Sequence, residues 1–158
     1  MKLKPGDRVL EIVKSLNVEI LPFKIDSSNL NSLGRDIAVN LKTTLSSIDK
    51  WPALKWCLST VKKAKVFTII YQANEMADPI YKEEIAKRLP EYSYKTIATI
   101  IDEGCTRGYY VSLDPYGRAI KDKKIKNIRP SLDLITAFYN WNFERIASVT
   151  ELVKKYKK

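Results

Sequence analysis

A chain of 158 residues, 45% hydrophobic and 29% charged, has the makeup of a folded globule with room for one real core, which excludes fibrous and disordered classes. Its 28 Lys and Arg against 18 Asp and Glu leave a formal charge of +10, a balance that attracts polyanions, nucleic acid first and acidic membrane surface second. It holds no histidine and two widely spaced cysteines, Cys57 and Cys105, which removes Ser-His and Cys-His nucleophile pairs, a disulfide framework and a four-ligand zinc site.

Both cysteines are expected to be reduced core residues. The N-terminal stretch MKLKPGDRVLEIVKSLNVEILPF has no uninterrupted apolar core of signal-peptide type, and no window reaches the ~18 apolar residues a spanning helix needs. The chain is therefore expected to be cytoplasmic and off the membrane. In residues 1–27, short apolar runs are mixed with Pro5, Gly6 and Pro22, and neither a helical nor a strand period holds. From Ser28 to about Ile48, Leu30, Leu33, Ile37, Leu41, Leu45 and Ile48 recur every three or four residues, the stripe of an amphipathic helix. Pro52 opens a second helical piece through Leu54, Leu58 and Val61.

Residues 64–76 read as a buried helix, apolar at Val66, Phe67, Ile69, Ile70 and Ala73. Asp78 and Pro79 then supply a cap and a first-turn proline for a short helix, Ile80 to Leu89, with Tyr81, Ile85, Ala86 and Leu89 inward. Ser93 can cap the next helix, in which Ile97, Ile100 and Ile101 form a core stripe opposite Tyr94, Lys95, Ala98, Thr99 and Asp102. Gly104 and Gly108 are the candidate stops. Residues 109–113 (YYVSL) are rich in strand formers, and 114–117 (DPYG) signal a turn. A basic segment, RAIKDKKIKNIRPS, follows, giving a two-stranded ribbon with a long basic tip. From Ser131 a helix runs to the end, with Ile135, Phe138, Tyr139, Ile146, Val149, Leu152, Val153 and Tyr156 near one face and Leu134 and Trp141 widening it.

The fold class this predicts is mainly α with a small β-ribbon. Two short helices joined by a tight turn, the second carrying polar residues opposite an isoleucine stripe, form the helix-turn-helix arrangement, whose second helix enters the DNA major groove. A merely solvated helix side would carry similar residues. Between positions 118 and 129, six basic side chains (Arg118, Lys121, Lys123, Lys124, Lys126 and Arg129) stand against one acid, the clustering a phosphate contact surface needs. An exposed hairpin guarded by lysines against edge pairing would carry them too.

The stretch EEIAKRLPEYSYKTIATIIDEGCTRGYYVSL (83–113), followed by DKKIKNIRPS (122–131), resembles the winged helix-turn-helix of MarR-type transcriptional regulators over about residues 62–131. In that family a D-x-R-x-K-x-I-x-P-T-like run closes the wing. Here Lys124 stands for the usual arginine and Ser131 for the threonine. The resemblance implies a winged helix-turn-helix DNA-binding domain (62–130) with N- and C-terminal dimerisation helices, the C-terminal one being 131–158; the N-terminal helical segment (1–61) lies outside the resemblance and is assigned no role. It further implies a homodimer on double-stranded DNA, with Ser93, Tyr94, Lys95, Thr96 and Thr99 as recognition-helix contacts. Arg118, Lys121, Lys123 and Lys124 would be wing contacts against the minor groove. Family members often bind small phenolic effectors; the aromatic run 137–143 (AFYNWNF) reads instead as core or interface, so no effector is assigned. No catalytic set, cofactor motif or metal-ligand spacing is found, and an enzyme is not expected. The alternative is a winged helix that serves protein–protein interaction, replication or assembly.

Overall fold

The computed structural model describes residues 5–113 and 127–157. The described chain is mainly helical with one two-stranded antiparallel sheet. It divides into two compact units, one from Ile48 to Asn140, the other formed by the chain up to Ser47 together with Trp141 onward.

In the second of these units, α1 spans Pro5–Ser15 and a 3-10 turn follows at Val18–Ile20, resolving the stretch the sequence left undecided. α2 (Leu30–Ser47) is the expected amphipathic helix. It lies antiparallel to the end of α7 (Leu132–Tyr156), because the bonded partners rise along one helix as they fall along the other. Trp141 Nε1 donates to the Thr44 carbonyl at 3.3 Å, the Asn40 amide bonds Ser148 Oγ, and Lys155 Nζ reaches Asp36 Oδ2 at 2.6 Å. The Tyr156 hydroxyl also donates to Asp36, at 2.7 Å. The Lys155 ammonium and then the Tyr156 hydroxyl hold the Asp36 carboxyl below its usual range. The expected apolar stripes are buried only in part. Of α2 only Leu33 is buried, while Ile37, Leu41 and Leu45 are exposed. On α7, Ile146 and Val149 are exposed too, and the burial falls on Leu134, Ala137 and Trp141. Polar bonds, rather than the apolar stripes, face the two helices toward each other.

The unit from Ile48 to Asn140 opens with a 3-10 turn at Ile48–Lys50 and α3 (Pro52–Cys57). The helical piece expected to reach Val61 stops early because Thr60 starts a new helix, its hydroxyl accepting the Lys63 N–H at 3.2 Å. α4 (Val61–Glu75) buries Val66, Phe67, Ile70, Tyr71 and Ala73, close to the expected pattern. Phe138 of α7 packs on this helix, its ring centroid 4.1 Å from that of Tyr71 and 5.7 Å from that of Phe67. In this unit the aromatic run serves as core.

α5 is Lys82–Arg88 and α6 is Tyr94–Thr106. Asp78 and Pro79 do not start α5 as expected. The chain there is drawn out to the sheet: Ile80 O accepts the Ile128 N–H at 2.9 Å, and the Ile80 N–H donates to Asn127 Oδ1 at 3.1 Å. Asn127, buried to 7% exposure, thus supplies by side chain the acceptor that a third strand would supply by backbone. The sheet pairs β1 (Tyr110–Leu113) with β2 (Asn127–Pro130), Tyr110 opposite Pro130 and Leu113 opposite Asn127.

Gly104, read as a helix stop, is a buried interior residue of α6. The Tyr110 ring occupies the space where a Cβ would stand. The helix ends instead at Arg107, and Gly108 takes the left-handed φ of 75° that turns the chain into β1. Neither cysteine is in a disulfide. Cys57 is fully buried, but Cys105 is only partly so, which corrects its placement in the core.

Candidate nucleic-acid interface

The candidate surface begins with the way α6 is held. Ile97 and Ile101 are fully buried and Ile100 nearly so, which fixes the rotation of the helix and leaves the opposite side free of packing duties. At its N-terminus the Ser93 hydroxyl accepts the Thr96 N–H at 3.2 Å and lies 2.9 Å from Thr96 Oγ1. One of the four amides that a helix start leaves without partners is thereby satisfied.

Ser93, Tyr94, Lys95 and Thr99 are exposed and Thr96 is half-buried. The structure therefore brings these five predicted residues together on the first two turns of one helix. Their chemistry differs. Lys95 has no ion pair among the described residues and offers an uncommitted cation. Thr99 donates its hydroxyl proton back to the Lys95 carbonyl at 2.8 Å, which leaves its oxygen to accept. The Tyr94 ring is 50% exposed, and its hydroxyl leans to Glu83 Oε1 of α5 at a long 3.4 Å.

Farther along the same side stands Asp102, bonded to Lys82 of α5. Next to it Glu103 accepts from Trp56 Nε1 at 3.2 Å and from Arg107 at 3.0 Å. Those donors, Trp56 first, keep the Glu103 carboxyl below its usual range. Charge is therefore graded along the helix. The N-terminal turns carry Lys95 and the positive end of the helix dipole, and the later turns carry carboxylates. Only the first part is suited to approach a polyanion.

Sequence reading missed a basic group beside that end. Lys62 and Lys65, on the first turns of α4, hold their ammonium groups 5.8 and 5.6 Å from the ring centroid of Tyr92, the residue before the Ser93 cap. Lys65 also bonds Glu91 at 2.7 Å, a pairing that raises the lysine and lowers the carboxylate from their ordinary values. Lys63 lies 4.4 Å over Trp56. The signal was there as the run KKAK at 62–65, but only the fold sets it against the start of α6.

The predicted wing contacts Arg118, Lys121, Lys123 and Lys124 lie outside the described residues, as does Lys126. Arg129, counted with them as a phosphate contact, is turned elsewhere. It is half-buried and donates to the Ala73 carbonyl at 3.1 Å, a cation on the carbonyl end of α4, where the helix dipole favours it. Among the described residues no three or more Cys, Asp or Glu gather in a group that could hold a metal ion. No described helix is long and apolar enough to cross a membrane. Comparison with family models, with curated proteins and with solved structures returns no match.

Proposed function

We propose that this protein is a DNA-binding transcriptional regulator that works as a homodimer on double-stranded DNA in the manner of MarR-type winged helix-turn-helix proteins. In this reading α6 enters the major groove by its N-terminal turns, and the ribbon that begins at β1 and returns at β2 lies against the adjacent minor groove. The observation that carries it is the start of α6. A serine-capped helix, packed from behind by Ile97, Ile100 and Ile101, presents Tyr94, Lys95 and Thr99 with Lys62 and Lys65 alongside. The chain order helix, helix, strand, strand and the bridge from Ile80 to β2 agree with a winged helix.

The test is recovery of bound fragments from a random duplex pool. A two-fold symmetric site should be enriched. Lys95→Ala or Thr96→Ala should change the preferred sequence, while Lys123→Ala with Lys124→Ala should weaken every duplex alike and lower the salt slope by ~0.9 per lost phosphate contact. No enrichment at low salt would end the proposal.

A second reading, a protein-binding winged helix, draws on Asp102 and the half-exposed Tyr94 ring, since a carboxylate on the presented side opposes phosphate but suits a basic protein partner. It predicts no preferred duplex in the same screen.

A further inference from the structure

We infer that Asp102 is a base-reading residue of α6 and that the base it takes is cytosine, by way of the exocyclic amino group. The inference rests on the proposed entry of α6 into the major groove and adds to it one letter of the site.

Position round the helix comes first. At about 100° per residue, Lys95, Thr99 and Asp102 stand at i, i+4 and i+7 and fall within about 60° of one another. The buried stripe of Ile97, Ile100 and Ile101 is centred on the opposite side of the same helix. Asp102 therefore lies on the line that Lys95 opens, and a groove floor that meets Lys95 and Thr99 meets Asp102 next. The carboxylate stands out on that side, its side chain 63% exposed.

Its orientation is set by α5. The Lys82 ammonium bonds Asp102 Oδ1, and with its side chain only 22% exposed that lysine is committed to the pair. Oδ2 has no hydrogen-bond partner among the described residues and is left to accept. The lysine charge also offsets the repulsion that a bare carboxylate would meet among phosphates. Phosphate is still no partner for Asp102, but a base edge that offers a proton is.

Chemistry then selects the base. In the major groove guanine shows the acceptors N7 and O6, and thymine shows O4 and a methyl group, so neither has a proton for a carboxylate. Adenine offers its N6 amino group but sets the N7 acceptor beside it, whereas cytosine offers the N4 amino group alone. Asp102 thus favours cytosine as much by rejecting the other bases as by attraction. Lys95, a cation with no ion pair among the described residues, suits the two acceptors of guanine. The seven residues from Lys95 to Asp102 span about 10 Å of helix axis, or about three base pairs. The expected half-site therefore has a guanine at Lys95 and a cytosine about three base pairs away.

The test is selection from a random duplex pool by the full chain as wild type, Lys95→Ala, Asp102→Asn and Asp102→Ala, with circular dichroism melts to show that each folds. The wild-type half-site should hold a cytosine preferred ~5- to 150-fold over the other bases. It should lie about three base pairs from the position that Lys95→Ala relaxes. Asp102→Asn should change that cytosine to adenine, the base a carboxamide pairs with, and leave the other positions as they were. Asp102→Ala should remove the preference there and nowhere else. Titration of the wild-type chain with four duplexes that differ only at that pair repeats the measurement without any substitution. An enriched site with no cytosine preference at that distance, or one whose letters are the same for Asp102→Asn as for wild type, would overturn the inference and leave the DNA reading standing. A wild type that enriches no duplex ends both.

Discussion

Replacing Gly104 by alanine sets two helix effects against each other. Alanine at an interior position gains ~1 kcal/mol of helix propensity over glycine. The new Cβ, however, would lie 2.6 Å from Cε2 of Tyr110 and closer still to Cδ2, inside the range real carbons occupy. The ring has little room to withdraw: Tyr110 is 1% exposed, its hydroxyl is 3.7 Å from Cys57 Sγ, and Trp56 packs edge-on against it. Overpacking of this kind costs ~1–3 kcal/mol and occasionally more, and contacts this short against a ring with no room to move belong at the upper end, so steric strain should win by ~2 kcal/mol. For a chain of this size each kcal/mol is worth ~2–4 °C in Tm. Thermal unfolding followed by circular dichroism should therefore show Gly104→Ala melting several degrees below wild type. The double variant with Tyr110→Leu should recover part of the loss, revealing a coupling that independent sites lack. A Gly104→Ala protein as stable as wild type, or a cycle with no coupling, would refute the reasoning.

Asn127→Ala leaves the Ile80 N–H buried without its acceptor and should cost ~1–3 kcal/mol in urea unfolding; an unchanged midpoint would mean the bond contributes nothing. The Cys57 thiol is pushed up to about 11, first by burial, with its hydrogen bond to Tyr110 acting in the opposite direction. Because the folded value lies above the ordinary 9.0, its contribution to stability is complete below pH 9 and is lost as pH rises through 11. At pH 8 a disulfide thiol reagent should consequently modify Cys105 in the folded protein and reach Cys57 only on unfolding, and equal rates at the two would contradict the burial argument.

Much of the Ile48–Asn140 unit could be read from spacing alone. Ser93 with Ile97, Ile100 and Ile101 is a local pattern, and α6 formed where it indicated because cap and stripe agree. The misreadings share one cause, a tertiary partner that outcompetes a local signal. Pro79 has the chemistry of a helix start, but pairing of Ile80 with β2 draws the chain straight. Gly104 has the chemistry of a stop, but a tyrosine six residues later needs its missing side chain. Arg129 sits in a run of cations, yet the carbonyl end of α4 claims it. The α2 stripe was read correctly as a stripe, but periodicity tells which side is apolar and not what covers it. In and just after α1 the apolar residues Val9, Ile12, Val13 and Leu16 do recur at i, i+3, i+4 and i+7, the spacing of one helix face, a period that sequence reading overlooked beside Pro5, Gly6 and Pro22. Lys62 and Lys65 join the candidate site only through folding, across 26 residues in the case of Lys65 and Glu91.

The clasp between Asn127 and Ile80 bears on how the connection between α4 and α5 keeps its alignment. Ile80 belongs to no helix or strand, so its amide would ordinarily trade its proton with solvent within moments. Tied to a buried carboxamide, it should instead exchange on the timescale of the surrounding core, a slow deuterium signal in the midst of fast neighbours. A slip of the connection by one residue toward Pro79 would offer that carboxamide a tertiary amide nitrogen, which has no proton to give. The pairing thus works as a vernier, marking the setting of the α4–α5 connection against the strands.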